Sequence, residues 1–273
     1  MSHKRFAWII TTSALGLVIT PTVSAQEAIN FNSALQPAKG MLIIRQQLRY
    51  FEADNNIGAN DLDIKQTQVS TALIYGIQSD LTLIFNAPIR FREIENNNTG
   101  TTTRDAGLGD ITSLLKLQFY RNDTGPTDTA RANMLAGMEV RSGDSDFSSD
   151  SYDPLVGAVY TQSRGRHGFD AAALWKFNTA GGASDQLRYD AAYVYRLYPE
   201  EYTVGKLTAL FGLIELNGSY ETNGDNELFL SPGIQYVTRD WAIEATVQLP
   251  IWQDLDERME RDFVVGLSLR VQF

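Results

Sequence analysis

From about residue 40 onward, apolar and polar residues alternate one by one rather than in helical turns. Strand side chains point to opposite faces in turn, so each such segment reads as a strand with one greasy and one polar face. The last segment, residues 262–273, is the clearest. There Phe263, Val265, Leu267, Leu269, Val271 and Phe273 alternate with Asp262, Val264, Gly266, Ser268, Arg270 and Gln272. A soluble sheet ending on such a strand would expose a sticky edge. A strand closing a barrel in lipid pairs all its backbone groups and turns its apolar face to hydrocarbon. The expected fold is all-β, a transmembrane antiparallel β-barrel of about twelve strands. Its last strand, ending at Phe273, closes it.

The other strands are expected at residues 40–51, 65–77, 81–93, 110–120, 132–141, 154–162, 169–178, 187–198, 203–217, 227–238 and 241–251. The facing of 203–217 is ambiguous, because apolar residues occur on both of its sides. The connections alternate in character: 53–63, 96–109, 142–153 and 253–261 are polar and mostly acidic, whereas 78–80 and 239–240 are short. That parity fits a barrel with both termini at the periplasmic rim. Phe91, Trp175, Phe177, Tyr236, Trp241, Phe263 and Phe273 fall outward near strand ends, where aromatic girdles sit. Pro88, Pro232 and Pro250 fall inside strand patterns, and a closed barrel has no free edge for them, so bulges or early rims are expected there.

The beginning of the chain sets the compartment. Lys4 and Arg5 precede an apolar run over residues 6–20, and Val23-Ser24-Ala25 offers the small residues a signal peptidase needs. Residues 1–25 are read as a signal peptide cleaved near Ala25, 26–39 as a periplasmic lead-in, and 40–273 as the barrel. The expected location is the outer membrane of a Gram-negative bacterium. Its lipid and lipopolysaccharide are expected partners, together with an assembly machinery that reads the terminal Phe273. The mean hydropathy of −0.22 does not oppose this, since half of every barrel strand faces water. With no cysteine, disulfides and thiolate metal sites are excluded. Residues 1–25 carry two basic and no acidic side chains, so the remainder holds 21 basic against 33 acidic side chains, a net charge of −12. That acidity excludes nucleic acid as a natural partner.

Several segments carry a family likeness. They are Ala106-Gly107-Leu108-Gly109-Asp110 leading into residues 111–116, and Gly137 to Gly143 (GMEVRSG). Ile214-Glu215-Leu216-Asn217-Gly218, Leu228 to Tyr236 (LFLSPGIQY) and Val247 to Ile251 (VQLPI) complete the set. Together they resemble the outer-membrane barrel family labelled "putative meta-pathway of phenol degradation", whose members are often called transporters. Val140-Arg141-Ser142-Gly143 departs from the Leu-Pro-Thr-Gly form associated with that family. The resemblance implies a channel or uptake role for small hydrophilic or aromatic molecules, without establishing phenol as a substrate.

If the apolar alternates face lipid, the others line the lumen. Those candidates are Arg45, Arg49, Arg90, Arg92, Asp110, Lys116, Glu139, Arg141, Asp170, Lys176, Arg188, Asp190, Arg196, Glu215, Glu244, Asp262 and Arg270. One reading is a polar conduit whose charges select solutes. The other is a network of salt bridges filling a narrow barrel, since buried charges must be paired. Asp144, Asp146, Asp150 and Asp153 are weak candidates for a divalent cation, because they lack the ordered glycine and terminal Glu of a calcium loop; a solvated acidic loop is the plainer reading. No cofactor is implied and no catalytic residue is assigned. The one histidine beyond the signal region, His167, lies in a turn expected to be periplasmic. The expected function is passive passage of a small solute. A structural or adhesive barrel is the alternative, and an outer-membrane hydrolase comes third.

Overall fold

The period-two pattern folds into one closed sheet. The computed structural model describes residues 27–55, 61–125, 127–202, 208–256 and 258–273. In chain order its strands are β1 (Leu42–Asn55), β2 (Leu62–Gly76), β3 (Leu81–Asn96), β4 (Thr101–Leu108), β5 (Ile111–Asp123), β6 (Thr129–Val140) and β7 (Asp153–Arg164). They continue as β8 (His167–Lys176), β9 (Gln186–Tyr198), β10 (Ala209–Glu221), β11 (Asn226–Val237), β12 (Trp241–Asp254) and β13 (Glu260–Gln272). All pairings are antiparallel, and β13 returns to β1 from Ile43↔Gln272 to Asp54↔Glu260, so the sheet closes on itself, while β4 pairs with β3 alone among the described residues. β4 and β5 share one place in the wall. β5 pairs with residues 81–86 of β3, and β4 with residues 89–96. Thirteen strands thus make a twelve-strand barrel with one extra strand.

That division corrects one expectation. Residues 96–109, read as a polar loop, instead form the tip of a β3–β4 hairpin, with Asn96↔Thr101 beside the turn and Ile89↔Leu108 at its base. Thr101, Thr102 and Thr103 suit a pleated surface, and a charge-assisted bond from Arg104 Nε to Glu93 Oε2 (2.7 Å) fastens the hairpin. Polarity here marks a strand that rises out of hydrocarbon, not a loop.

All three prolines sit at ladder irregularities. Pro88 faces the break between β4 and β5, where the Gly109 amide donates to its carbonyl (2.8 Å). Pro250 pairs with Phe229 beside a register shift, and the β11–β12 ladder passes over Ser231 and Pro232. A residue with no amide hydrogen is placed where the ladder asks for none.

Burial is inverted relative to a soluble protein. On β12, Glu244, Thr246 and Gln248 are buried, while Ile243 (51% exposed), Val247 and Leu249 are exposed. On β13, Val264, Ser268 and Arg270 are buried against exposed Val265, Leu267 and Leu269. An outward apolar belt of this kind suits hydrocarbon, and the polar set faces the lumen. β10 resolves its ambiguous facing: Ala209, Phe211, Leu213, Glu215 and Asn217 point inward and Ile214 (56% exposed) outward. Phe211 and Leu213 are apolar yet inward because something apolar waits for them inside.

Candidate functional site

That object is a strap of this same chain, residues 27–37, which precedes β1. The described part of the segment expected as a periplasmic lead-in lies within the barrel: Ala28, Ile29, Phe31 and Ala34 are buried. Ile29 packs with Val194, Phe211, Leu213, Val237 and Ala242, and Phe31 with Ala28 and Ala192. Residues 27–37 form no regular element. Their amides and carbonyls therefore need partners from the wall, since an unpaired buried backbone group is costly.

The wall supplies them with side chains of matching polarity. Carboxylates accept amides: Asp170 from Ala28 (3.1 Å), and Glu215 from Ile29 (2.5 Å) and Asn30 (3.2 Å), with the Asn30 side-chain amide adding a third donor (2.8 Å). Donors take carbonyls. Lys116 Nζ reaches Ser33 O (3.1 Å) and Leu35 O (2.5 Å), Arg45 Nη2 reaches Ile29 O (2.6 Å), and Asn133 Nδ2 reaches Ala34 O (2.8 Å). Thr161 Oγ1 receives the Ala34 amide at 2.7 Å. Glu27 pairs with Arg270, and Thr82 donates to Gln36. Beneath the strap, Arg45 and Glu244 form an ion pair at 2.5 Å, and Gln235 donates to Glu244 (2.7 Å). Seven of the expected lumen residues thus meet at one place: Arg45, Arg49, Lys116, Asp170, Glu215, Glu244 and Arg270. Arg49 joins through Asn30 Oδ1 at 3.1 Å.

The other candidates are spread along the wall. Glu139 and Lys176 pair across β7 at 3.3 Å. Arg196 sits over the Tyr202 ring, 4.1 Å from its centroid, near the rim where β1 begins and β13 ends. Arg90, Arg92, Arg188 and Asp190 line a cavity in the opposite half, which also receives Asn30 of the strap. Three candidates lie elsewhere: Arg141, Asp262 and Asp110. Arg141 stands beyond β6 in a loop, 55% exposed and paired with Asp150 (2.6 Å). Asp262 is exposed because β13 bulges there: Glu52 pairs with Phe263 and Ala53 with Arg261, leaving Asp262 out. The bulge reverses the alternation, so Arg261 enters the lumen and bonds Glu227 Oε1 (2.5 Å). Simple alternation therefore missed Arg261, as it missed Arg258, which reaches the same oxygen (3.0 Å) from the connection before β13.

Asp110 organises the connection between β6 and β7 rather than the lumen wall. Its two oxygens accept the amides of Ser142 (3.0 Å), Gly143 (2.9 Å) and Ser149 (2.6 Å) and the hydroxyls of Ser148 (2.8 Å) and Ser149 (2.9 Å). An ionised carboxylate is suited to such an all-donor shell. Asp110→Ala is expected to loosen residues 142–149 by about 2 kcal/mol, giving roughly thirtyfold faster proteinase K cleavage there with the strands still protected. Cleavage at the wild-type rate would mean that the loop holds itself. The weak metal candidates have separate engagements. Asp144 accepts the Leu108 amide (2.8 Å), Asp150 pairs with Arg141, and Asp153 takes the Ser151 hydroxyl (2.8 Å) and the Thr179 amide (2.9 Å). The Asp146 carbonyl accepts from Arg92 at 3.5 Å. His167 Nδ1 lies 2.6 Å from the Tyr193 hydroxyl, so its hydrogen-bond partner is a phenol rather than a serine nucleophile.

Among solved structures, the COG4313 outer membrane channel from Pseudomonas putida F1 aligns over 90% of this chain and 100% of its own, at 14% identity and a TM-score of 0.57. The β domain of the Bordetella autotransporter BrkA aligns over 86% of this chain and 100% of its own, at 9% identity and a TM-score of 0.49. No curated protein matches the sequence. The first likeness is one of fold, an outer-membrane barrel. Residues 52–264 match the family described as "Putative MetA-pathway of phenol degradation". That match covers most of the barrel, and the chain belongs to this family.

Proposed function

We propose that this protein is an outer-membrane channel for passive passage of small molecules, with residues 27–37 narrowing its lumen. The observation that supports this most is a polar cavity of about 520 Å³ inside the barrel, bounded by Asn30 of the strap. A cavity of this size admits a small solute rather than a polymer. The rim where β1 begins and β13 ends is assigned to the periplasm and the β3–β4 hairpin to the cell exterior. The region ending near Ala25, read as a cleaved signal, lies outside the described residues. Passage is assigned as non-enzymatic: the hydroxyl–carboxylate contact in the lumen, Thr161 to Asp170, is buried and engaged by the Ala34 and Ala28 amides of the strap rather than open to a substrate.

A second reading, a non-conducting structural barrel, draws on the same strap, because its hydrogen bonds fill one half of the lumen. Single-channel recording of the refolded mature protein in a planar bilayer separates the two. Small stepwise conductance is expected of a narrowed channel. Charge reversal at Arg90 and Arg92, both on the cavity wall, is expected to shift ion selectivity toward cations. A folded barrel that never conducts would leave the structural reading.

A further inference from the structure

The cavity above the strap has an unbalanced lining. Six guanidiniums border it, those of Arg49, Arg90, Arg92, Arg188, Arg258 and Arg261, against only two carboxylates, Asp190 and Glu227. Glu227 is taken by Arg258 (3.0 Å) and Arg261 (2.5 Å), and Arg92 lies 3.8 Å from Asp105. Asp190 accepts from the Asn217 amide (2.8 Å). Arg49, Arg90 and Arg188 are left with no carboxylate in ion-pair range among the described residues. Arg49 bonds the neutral Asn30, while its Nε is buried with no partner. Arg90 meets only Gln68 Oε1 (3.2 Å) and the Phe147 carbonyl (3.4 Å). Arg188 is exposed to the cavity and makes no hydrogen bond of its own among the described residues. Asp190, near Arg49 and Arg188, and Glu215, near Arg49, offset this charge only in part, and confined cations in such excess raise the local concentration of anions. Guanidiniums in particular match the fork of a carboxylate.

The same cavity has an apolar side. Phe51 and Phe229 line it, and the Arg261 guanidinium lies 5.9 Å and 4.7 Å from their ring centroids. An inorganic ion would use the cations and leave this side unused. We propose that the cavity is a binding site for a small organic anion, one carboxylate on an aromatic body. The carboxylate lies between Arg49 and Arg188, and the ring rests against Phe51, with the buried Phe229 behind that side of the wall. This names a substrate class for the channel reading and rests on that reading for its physiological meaning, although binding can be measured without conductance.

The test is calorimetric titration of the detergent-solubilised mature protein with benzoate, with benzyl alcohol as the neutral analogue and inorganic phosphate as the competitor. Benzoate is expected to bind, benzyl alcohol at least ~tenfold more weakly, and phosphate is expected to compete poorly. Arg188→Gln, at an exposed side chain, is expected to weaken benzoate by ~tenfold, and Arg49→Gln/Arg188→Gln further, with Arg121→Gln as a control outside the cavity. Equal binding of benzyl alcohol would overturn the anion assignment. Full displacement by phosphate at equal concentration would overturn the organic part, and no benzoate binding would overturn both. Conductance measured on the same preparation keeps the two failures apart. A protein that conducts without binding benzoate has lost only this site. One that binds without conducting has lost only the channel.

Discussion

Deleting residues 27–36 from the mature protein is expected to raise single-channel conductance about threefold or more. The reasoning is geometric. The strap fills its half of the lumen with Ile29, Phe31 and Ala34, all buried, and ties itself to β5, β7, β8, β10 and β1 through Lys116, Thr161, Asp170, Glu215 and Arg45. With the strap gone, those charged side chains face water in a closed barrel whose β1–β13 seam begins only at Ile43↔Gln272. The wall is therefore expected to survive, and the lost constriction to appear as current. A deletion variant that folds, shifts on an unheated gel like wild type and keeps the parent conductance would show that the strap does not limit flow.

The second large effect concerns stability. Glu244→Ala removes the only carboxylate that Arg45 meets within ion-pair range among the described residues, at a site where Glu244 is 1% exposed and the Arg45 side chain 18%. Removing one partner leaves a buried charge uncompensated, which costs about 3–5 kcal/mol. Gln235 also loses its acceptor. The urea midpoint of the detergent-folded barrel, followed by gel mobility, is expected to fall accordingly. Arg45→Met/Glu244→Leu is expected to recover most of the loss, because an apolar pair needs no compensation. A single variant with an unchanged midpoint would mean that lumen water already solvates Arg45.

Much of the wall was legible because its physics is local. Alternation of Ile243, Val247 and Leu249 with Glu244, Thr246 and Gln248 states which side meets lipid, and the three prolines announce the irregularities that house them. What alternation cannot state is what a lumen side chain touches. Residues 26–39 have no period, and residues 27–36 meet side chains of the wall mostly through their own backbone groups, across as many as 186 residues, as from Ile29 to Glu215. One signal was present: Phe211 and Leu213 share the inward parity of Glu215 and Asn217 on the same strand, and an apolar guest explains them. The bulge at Asp262 was not legible either, since one unpaired residue exchanges Asp262 for Arg261 without altering the composition of the strand. The β3–β4 hairpin was hidden because its strands leave hydrocarbon and so lose the apolar half of the pattern.

The most direct test of the lumen strap is a cysteine pair, Ala34→Cys with Thr161→Cys, in a chain that has no other cysteine. The Ala34 amide lies 2.7 Å from Thr161 Oγ1, and both residues are buried. Mild oxidation of the folded, bilayer-inserted protein is expected to give a fast intramolecular disulfide, read as a reductant-sensitive gel shift, with conductance held at its low level until reductant is added. Two thiols that stay free and react readily with a water-soluble maleimide would place residues 27–37 outside the barrel and contradict the constricted lumen.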